Sequence, residues 1–99
     1  MAAITVAAVG AGATMAAASG GGDTVTGGTK AGGWAVDGTP VLIVTVGATP
    51  TVVTVDGTAK PSLTSKTAVY PLGGGVYTGR SIAVTYDQVT SVTVGAQIL

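Results

Sequence analysis

Eight side chains in this 99-residue chain carry a formal charge: Lys30, Lys60, Lys66 and Arg80 against Asp23, Asp37, Asp56 and Asp87. Acid–base or nucleophilic chemistry would have to come from these and from the abundant Ser and Thr, because His, Glu and Cys do not occur. Their absence removes the usual general base, the commonest zinc ligand, any thiolate nucleophile and any disulfide. Ser65-Lys66 pairs a hydroxyl with an amine, but adjacent residues on a strand point to opposite faces, so the pair reads as loop surface. All four Asp sit beside turn-forming positions, where Asp bonds to its own backbone. Gly20-Gly21-Gly22-Asp23 matches one fragment of a calcium-binding glycine/aspartate repeat, which needs stacked copies. Gly10-x-Gly12 does not continue into a dinucleotide fingerprint. No catalytic, metal or cofactor residue is expected, and the chain reads as a non-enzyme.

The aromatic residues carry more information. Trp34, Tyr70, Tyr77 and Tyr86 are the only four. Trp34 and Tyr86 read as core or core edge. Tyr70 and Tyr77 flank a Pro-Leu-Gly-Gly-Gly loop, and Tyr is enriched at contact surfaces. Charged residues make up 8% of the chain and hydrophobic ones 46%, whereas an ordinary soluble domain is about 25% charged. Such a surface is expected to be covered by a partner. Net charge is zero and the cations are scattered, so no basic stripe marks a nucleic-acid or anionic-lipid partner.

The elements that position these residues are short and extended. Residues 1–22 are apolar and uncharged apart from the terminus. No Lys or Arg precedes the run, and Thr5, Gly10, Gly12 and Thr14 dilute it, which argues against a signal peptide and against a membrane-spanning helix. Ile4, Val6 and Ala8 alternate with Thr5 and Ala7, as in a strand or extended arm. Residues 13–18 are expected to form one or two helical turns before Gly20-Gly21-Gly22 stops them. A segment burying so little alone should lie on the domain or on a neighbouring subunit.

From Gly33 onward strands alternate with turn chemistry. Trp34 and Val36 lead into Asp37-Gly38. The apolar run 41–46 predicts a strand covered on both faces. Gly47 to Pro50 turns the chain, and 51–55 is expected to return as the second arm of a hairpin ending at Asp56-Gly57. A loop follows at 61–67, then a strand at 67–70 cut off by Pro71. In 81–99, Ile82, Val84 and Tyr86 share one face, with Ser81, Ala83 and Thr85 on the other. After a turn at 87–90, Val92, Val94, Ala96 and Ile98 repeat the pattern, which predicts a second hairpin. The fold expected is all-β: a small antiparallel sandwich or barrel, jelly-roll-like, over 23–99, with an extended N-terminal arm over 1–22. Outward Thr keeps β propensity without adding charge, leaving these strands less protected against edge pairing.

The order GGGDT (20–24), GWAVDG (33–38), VLIVTVGATPTVVTVDG (41–57), TAVYPL (67–72) and GRSIAVTYDQVTSVTVGAQIL (79–99) resembles small structural proteins of tailed bacteriophages of actinobacteria. The resemblance covers about residues 20–99 and rests on pattern and order. It departs in an abbreviated loop after Pro61 and in fewer charges. Such proteins are usually taken to be head decoration (cement) or minor capsid proteins. The resemblance therefore implies a virion protein on the outer capsid surface, bridging major capsid subunits and associating with itself as a homotrimer, with no cofactor, nucleic acid or membrane partner. The residues expected at its interfaces are Ile4, Val6, Val9, Met15, Tyr70, Leu72 and Tyr77. A tail-tube, tail-tip or head–tail connector component is the alternative, and a secreted glycan-binding β-sandwich a second.

Overall fold

Valine and threonine alternate along much of the chain, and β-branched side chains favour extended backbone. The computed structural model, which describes residues 2–4, 6–7, 12–25, 40–72 and 81–98, is all-β with two mostly antiparallel sheets packed face to face. Ten strands occur among these residues: β1 (Ala2–Ile4), β2 (Val6–Ala7), β3 (Ala16–Ala17), β4 (Asp23–Val25), β5 (Pro40–Val46), β6 (Val53–Val55), β7 (Thr58–Ala59), β8 (Lys66–Pro71), β9 (Ile82–Tyr86) and β10 (Val92–Ile98). Sheet A runs β1-β4-β9-β6-β7. Sheet B runs β2-β10-β5-β8, with β3 also paired to β10.

Alternation puts Leu42, Val44 and Val46 of β5, Val92, Val94 and Ala96 of β10, and Ile82 and Val84 of β9 into one core, together with Val25, Val53 and Val55. The predicted face of β9 holds, since Ile82 and Val84 are buried, Ser81, Ala83 and Thr85 are exposed, and Tyr86 is half-buried; in β10, Val92, Val94 and Ala96 are buried as expected. Asp56-Gly57 also behaves as its chemistry demands. Both residues have positive φ, 52° and 82°, the geometry of a two-residue hairpin turn that Asp-Gly favours. That turn joins β6 to β7.

Both predicted hairpins are corrected. β5 pairs with β10 and β8, whereas β6 pairs with β9 and β7. The chain therefore crosses from sheet B to sheet A between Val46 and Val53, and from sheet A to sheet B between Tyr86 and Val92. The physical reason lies in the apolar faces. Laid side by side, β5 and β6 would leave one large apolar face to be covered from elsewhere; folded across the sandwich, the two faces cover each other. The two crossings are tied to each other. Asp87 Oδ1 accepts the Val52 N–H at 2.8 Å, the Asp87 N–H donates to Val52 O at 3.2 Å, and Gln88 Nε2 donates to the buried Thr51 hydroxyl.

The strand over 41–46 is covered fully on its inner face, but outside only at one end, since Val41 is buried, Ile43 half-buried and Thr45 exposed. The helical turn expected at 13–18 is absent. Residues 12–15 are irregular, and Ala16 and Ala17 pair antiparallel with Val94 and Thr93. A six-residue helix cannot offset its nucleation cost, whereas the β10 edge supplies backbone partners. The described N-terminal strands lie on the domain itself: β1 pairs parallel with β4, and β2 parallel with β10. The Trp34–Val36 strand, the Asp37-Gly38 turn and the loop tip at 73–75 lie outside the described residues.

Candidate interaction surface

Sheet B presents an outer face whose residues follow from the register. Across β10, β5 and β8 the partners form three rows: Thr93–Thr45–Thr67, Gly95–Ile43–Val69 and Gln97–Val41–Pro71. No residue in these rows is charged. The Thr45 and Thr67 hydroxyl oxygens lie 3.0 Å apart in a hydrogen bond, a cross-strand pair that fixes two neutral polar groups on the surface. Val69 is 52% exposed and Met15 38%. They are the two large apolar side chains exposed among the described residues, and both belong to this face.

Met15 reaches the face because residues 12–15 cross it as a strap. The Ala13 N–H donates to Gln97 Oε1 at 2.8 Å. Beneath the strap lies Gly95, where an added Cβ would sit 2.8 Å from Met15 Sδ and 2.9 Å from Thr14 O. A glycine inside a Val-Thr-Val strand marks a close backbone approach, and that signal was available in the sequence.

The residues expected at interfaces are spread differently. Ile4, 8% exposed, belongs to the chain's own core, and Val6, Tyr70 and Leu72 pack against that core while partly buried. Met15 is on the outer face of sheet B. Val9 and Tyr77, like Trp34, lie outside the described residues. Tyr70 is on the inner side of β8, opposite Leu42. The Lys60 ammonium stands 5.8 Å from its ring centroid, a cation–π contact. Its hydroxyl is buried with no hydrogen-bond partner among the described residues, and burial raises its pKa above the usual 10.0.

A second polar group was missed by sequence reasoning. Asp23 follows three glycines and reads as a turn residue, yet it lies in β4 and is 2% exposed. Its Oδ2 accepts from the Tyr86 hydroxyl at 2.7 Å and from the Ser19 N–H at 3.2 Å. Burial, the hydrogen bond to Asp23 and the nearby carboxylate charge all push the Tyr86 pKa upward. The arrangement anchors the segment before β4 to β9 and keeps a carboxylate solvated by protein donors. An open cleft of about 200 Å³ at the sandwich end brings Asp56, Thr58, Lys60, Pro71 and Leu72 together. Among the described residues no group of three or more His, Cys, Asp or Glu is placed to hold a metal ion.

The class these features define is a small two-sheet β-sandwich with one outer face whose described rows hold no charged residue. No protein-family model, curated protein or solved structure matches the chain.

Proposed function

We propose that this chain is a structural virion protein that decorates a bacteriophage head and stabilises it by bridging neighbouring capsid subunits. The observation that carries the reading is the uncharged outer face of sheet B, where Thr, Ile, Val and Met stand in place of the Lys and Glu that keep most strands apart. Desolvating such a face costs little, since no ion loses its hydration, and it offers Thr hydroxyls to a neighbour's backbone. The order of motifs, which resembles that of small structural proteins of tailed bacteriophages, supports the same reading. Binding only to the assembled shell would add the protein's binding free energy to that of the lattice, and many symmetric copies allow each contact to be modest.

The test uses particles lacking the protein. Added back, the full chain is expected to bind them and raise their temperature of disruption. Thr45→Lys puts a cation on the central strand of the face at an exposed position, and it is expected to abolish binding while the fold is retained. Failure of the full chain to bind, or equal binding by Thr45→Lys, overturns the reading.

A further inference from the structure

The backbone of β8 is half used, and which half can be deduced. Leu72 N–H donates to Pro40 O, and Gly47 N–H donates to Ser91 O. Within the unbroken register Val41↔Pro71 to Val46↔Lys66, hydrogen bonding alternates residue by residue. Even-numbered residues of β5 therefore bond to β8, and odd-numbered ones to β10. On β8, Lys66, Ala68 and Tyr70 turn their backbone groups toward β5, while Thr67, Val69 and Pro71 turn theirs away. β8 is the edge of sheet B among the described strands. Pro71 fits this position because its missing N–H falls on the outward side. Among the described residues the edge thus offers the N–H and C=O of Thr67 and Val69; the Lys66 charge and the positive φ of Ser65 fall at one end of it, which leaves Thr67 to Val69 without a charge or bulge.

We propose that β8 is a self-pairing edge: two copies of the chain join β8 to β8 antiparallel about a two-fold axis at Ala68, continuing sheet B from one copy into the other. The register selects itself. Centred on Ala68, Thr67 faces Val69 of the second copy, all four outward N–H groups meet the Thr67 and Val69 carbonyls, and the two outward Pro71 carbonyls fall at the ends of the new ladder. Centred on Val69, the Thr67 carbonyl faces a proline nitrogen. Centred on Thr67, Val69 faces Ser65, whose φ of 48° takes it out of the strand.

Charge also admits a second copy. The chain's net charge is zero, and Lys66 is the one ionised residue on β8. In the Ala68 register Lys66 stands opposite Tyr70 of the second copy. The two Lys66 residues are then four positions apart, roughly 14 Å along the strand, beyond a screening length of about 8–10 Å. An edge contact buries less than the ~1,200 Å² of a stable interface, so the dissociation constant is on the order of 10⁻⁴ M. The inference stands apart from the decoration reading, because it concerns the isolated chain.

The test is amide hydrogen exchange by NMR alongside sedimentation equilibrium of the full chain, from about 20 μM to about 1 mM. Amides of Lys66, Ala68 and Tyr70 are expected to be protected at every concentration. Those of Thr67 and Val69 are expected to slow about fourfold across the range, as dimer replaces monomer. Val69→Lys, at an exposed position, and Thr67→Pro, which removes one outward N–H and no bond to β5, are each expected to weaken the dimer at least about tenfold. A monomeric mass at 1 mM overturns the proposal. So does a trimeric mass, or a dimer in which the Thr67 and Val69 amides exchange at a rate independent of concentration.

Discussion

Gly95 shows how one missing methyl group organises a surface. A Cβ there would meet a flexible thioether at 2.8 Å, which could move, and a backbone carbonyl at 2.9 Å, which could move only with the whole strap. Gly95→Ala is therefore expected to lift residues 12–15 and lower stability by about 1–3 kcal/mol, the usual cost of forced overpacking. Urea denaturation measures the cost, and faster exchange of the Ala13 amide reports the displaced strap. Tyr86 is the second informative residue. Its pKa is raised above the usual 10.0, so above pH 10 the unfolded chain releases this proton while the folded chain retains it. The folded state then binds more protons than the unfolded one, and stability falls as pH rises. Tyr86→Phe is expected to cost about 1–3 kcal/mol near neutrality, because the buried Asp23 carboxylate loses a donor, and to flatten the alkaline fall. Denaturation midpoints between pH 7 and 11 check both effects. An alkaline limb as steep as that of the parent chain would remove Tyr86 as its source.

At the scale of elements, the longer strands were legible and their pairing was not. Period-two alternation in 81–86 and 92–96 placed those strands and their buried faces correctly, because it is a local property, whereas the continuous apolar run 41–46 placed its strand but not the exposure of its outer face at Thr45. Whether β5 turns back beside itself or crosses to the other sheet depends on what its apolar face meets, and that is decided by residues far away in the chain. The tie between the crossings, where Asp87 holds Val52 and Gln88 holds Thr51, is visible only once the fold has brought 51–52 and 87–88 together. The surface divides in the same way. Outward Thr on the strands announced an uncharged face, while the strap over Gly95 and the burial of Asp23 depend on long-range contacts. The tie also carries a prediction. Asp87→Ala and Gln88→Ala each remove one hydrogen-bonding side chain and are expected to cost about 1 kcal/mol. Since both act on the same pair of crossings, the double variant is expected to lose less than the sum. Equal additivity in denaturation measurements would mean that the crossings are held independently.

For the whole molecule, scarcity of charge bears on whether copies repel one another. With net charge zero and a sequence isoelectric point near 5.9, copies approach without a repulsive monopole. In the proposed association, attraction would come from neutral groups: strand-edge hydrogen bonds and the Thr, Ile, Val and Met side chains outside sheet B. Forces of this kind are short-ranged and nearly insensitive to simple salt, whereas charge-driven contacts weaken as screening grows. The isolated protein is therefore expected to show net attraction at pH 6–7 by light scattering. Its association constant is expected to change by less than about twofold between 0.05 and 0.5 M sodium chloride. Sulfate, which strengthens burial of apolar surface, is expected to raise it. A steep fall in association with sodium chloride would assign the contact to the eight charged side chains instead, and would move the interface away from sheet B, whose outer rows hold none of them.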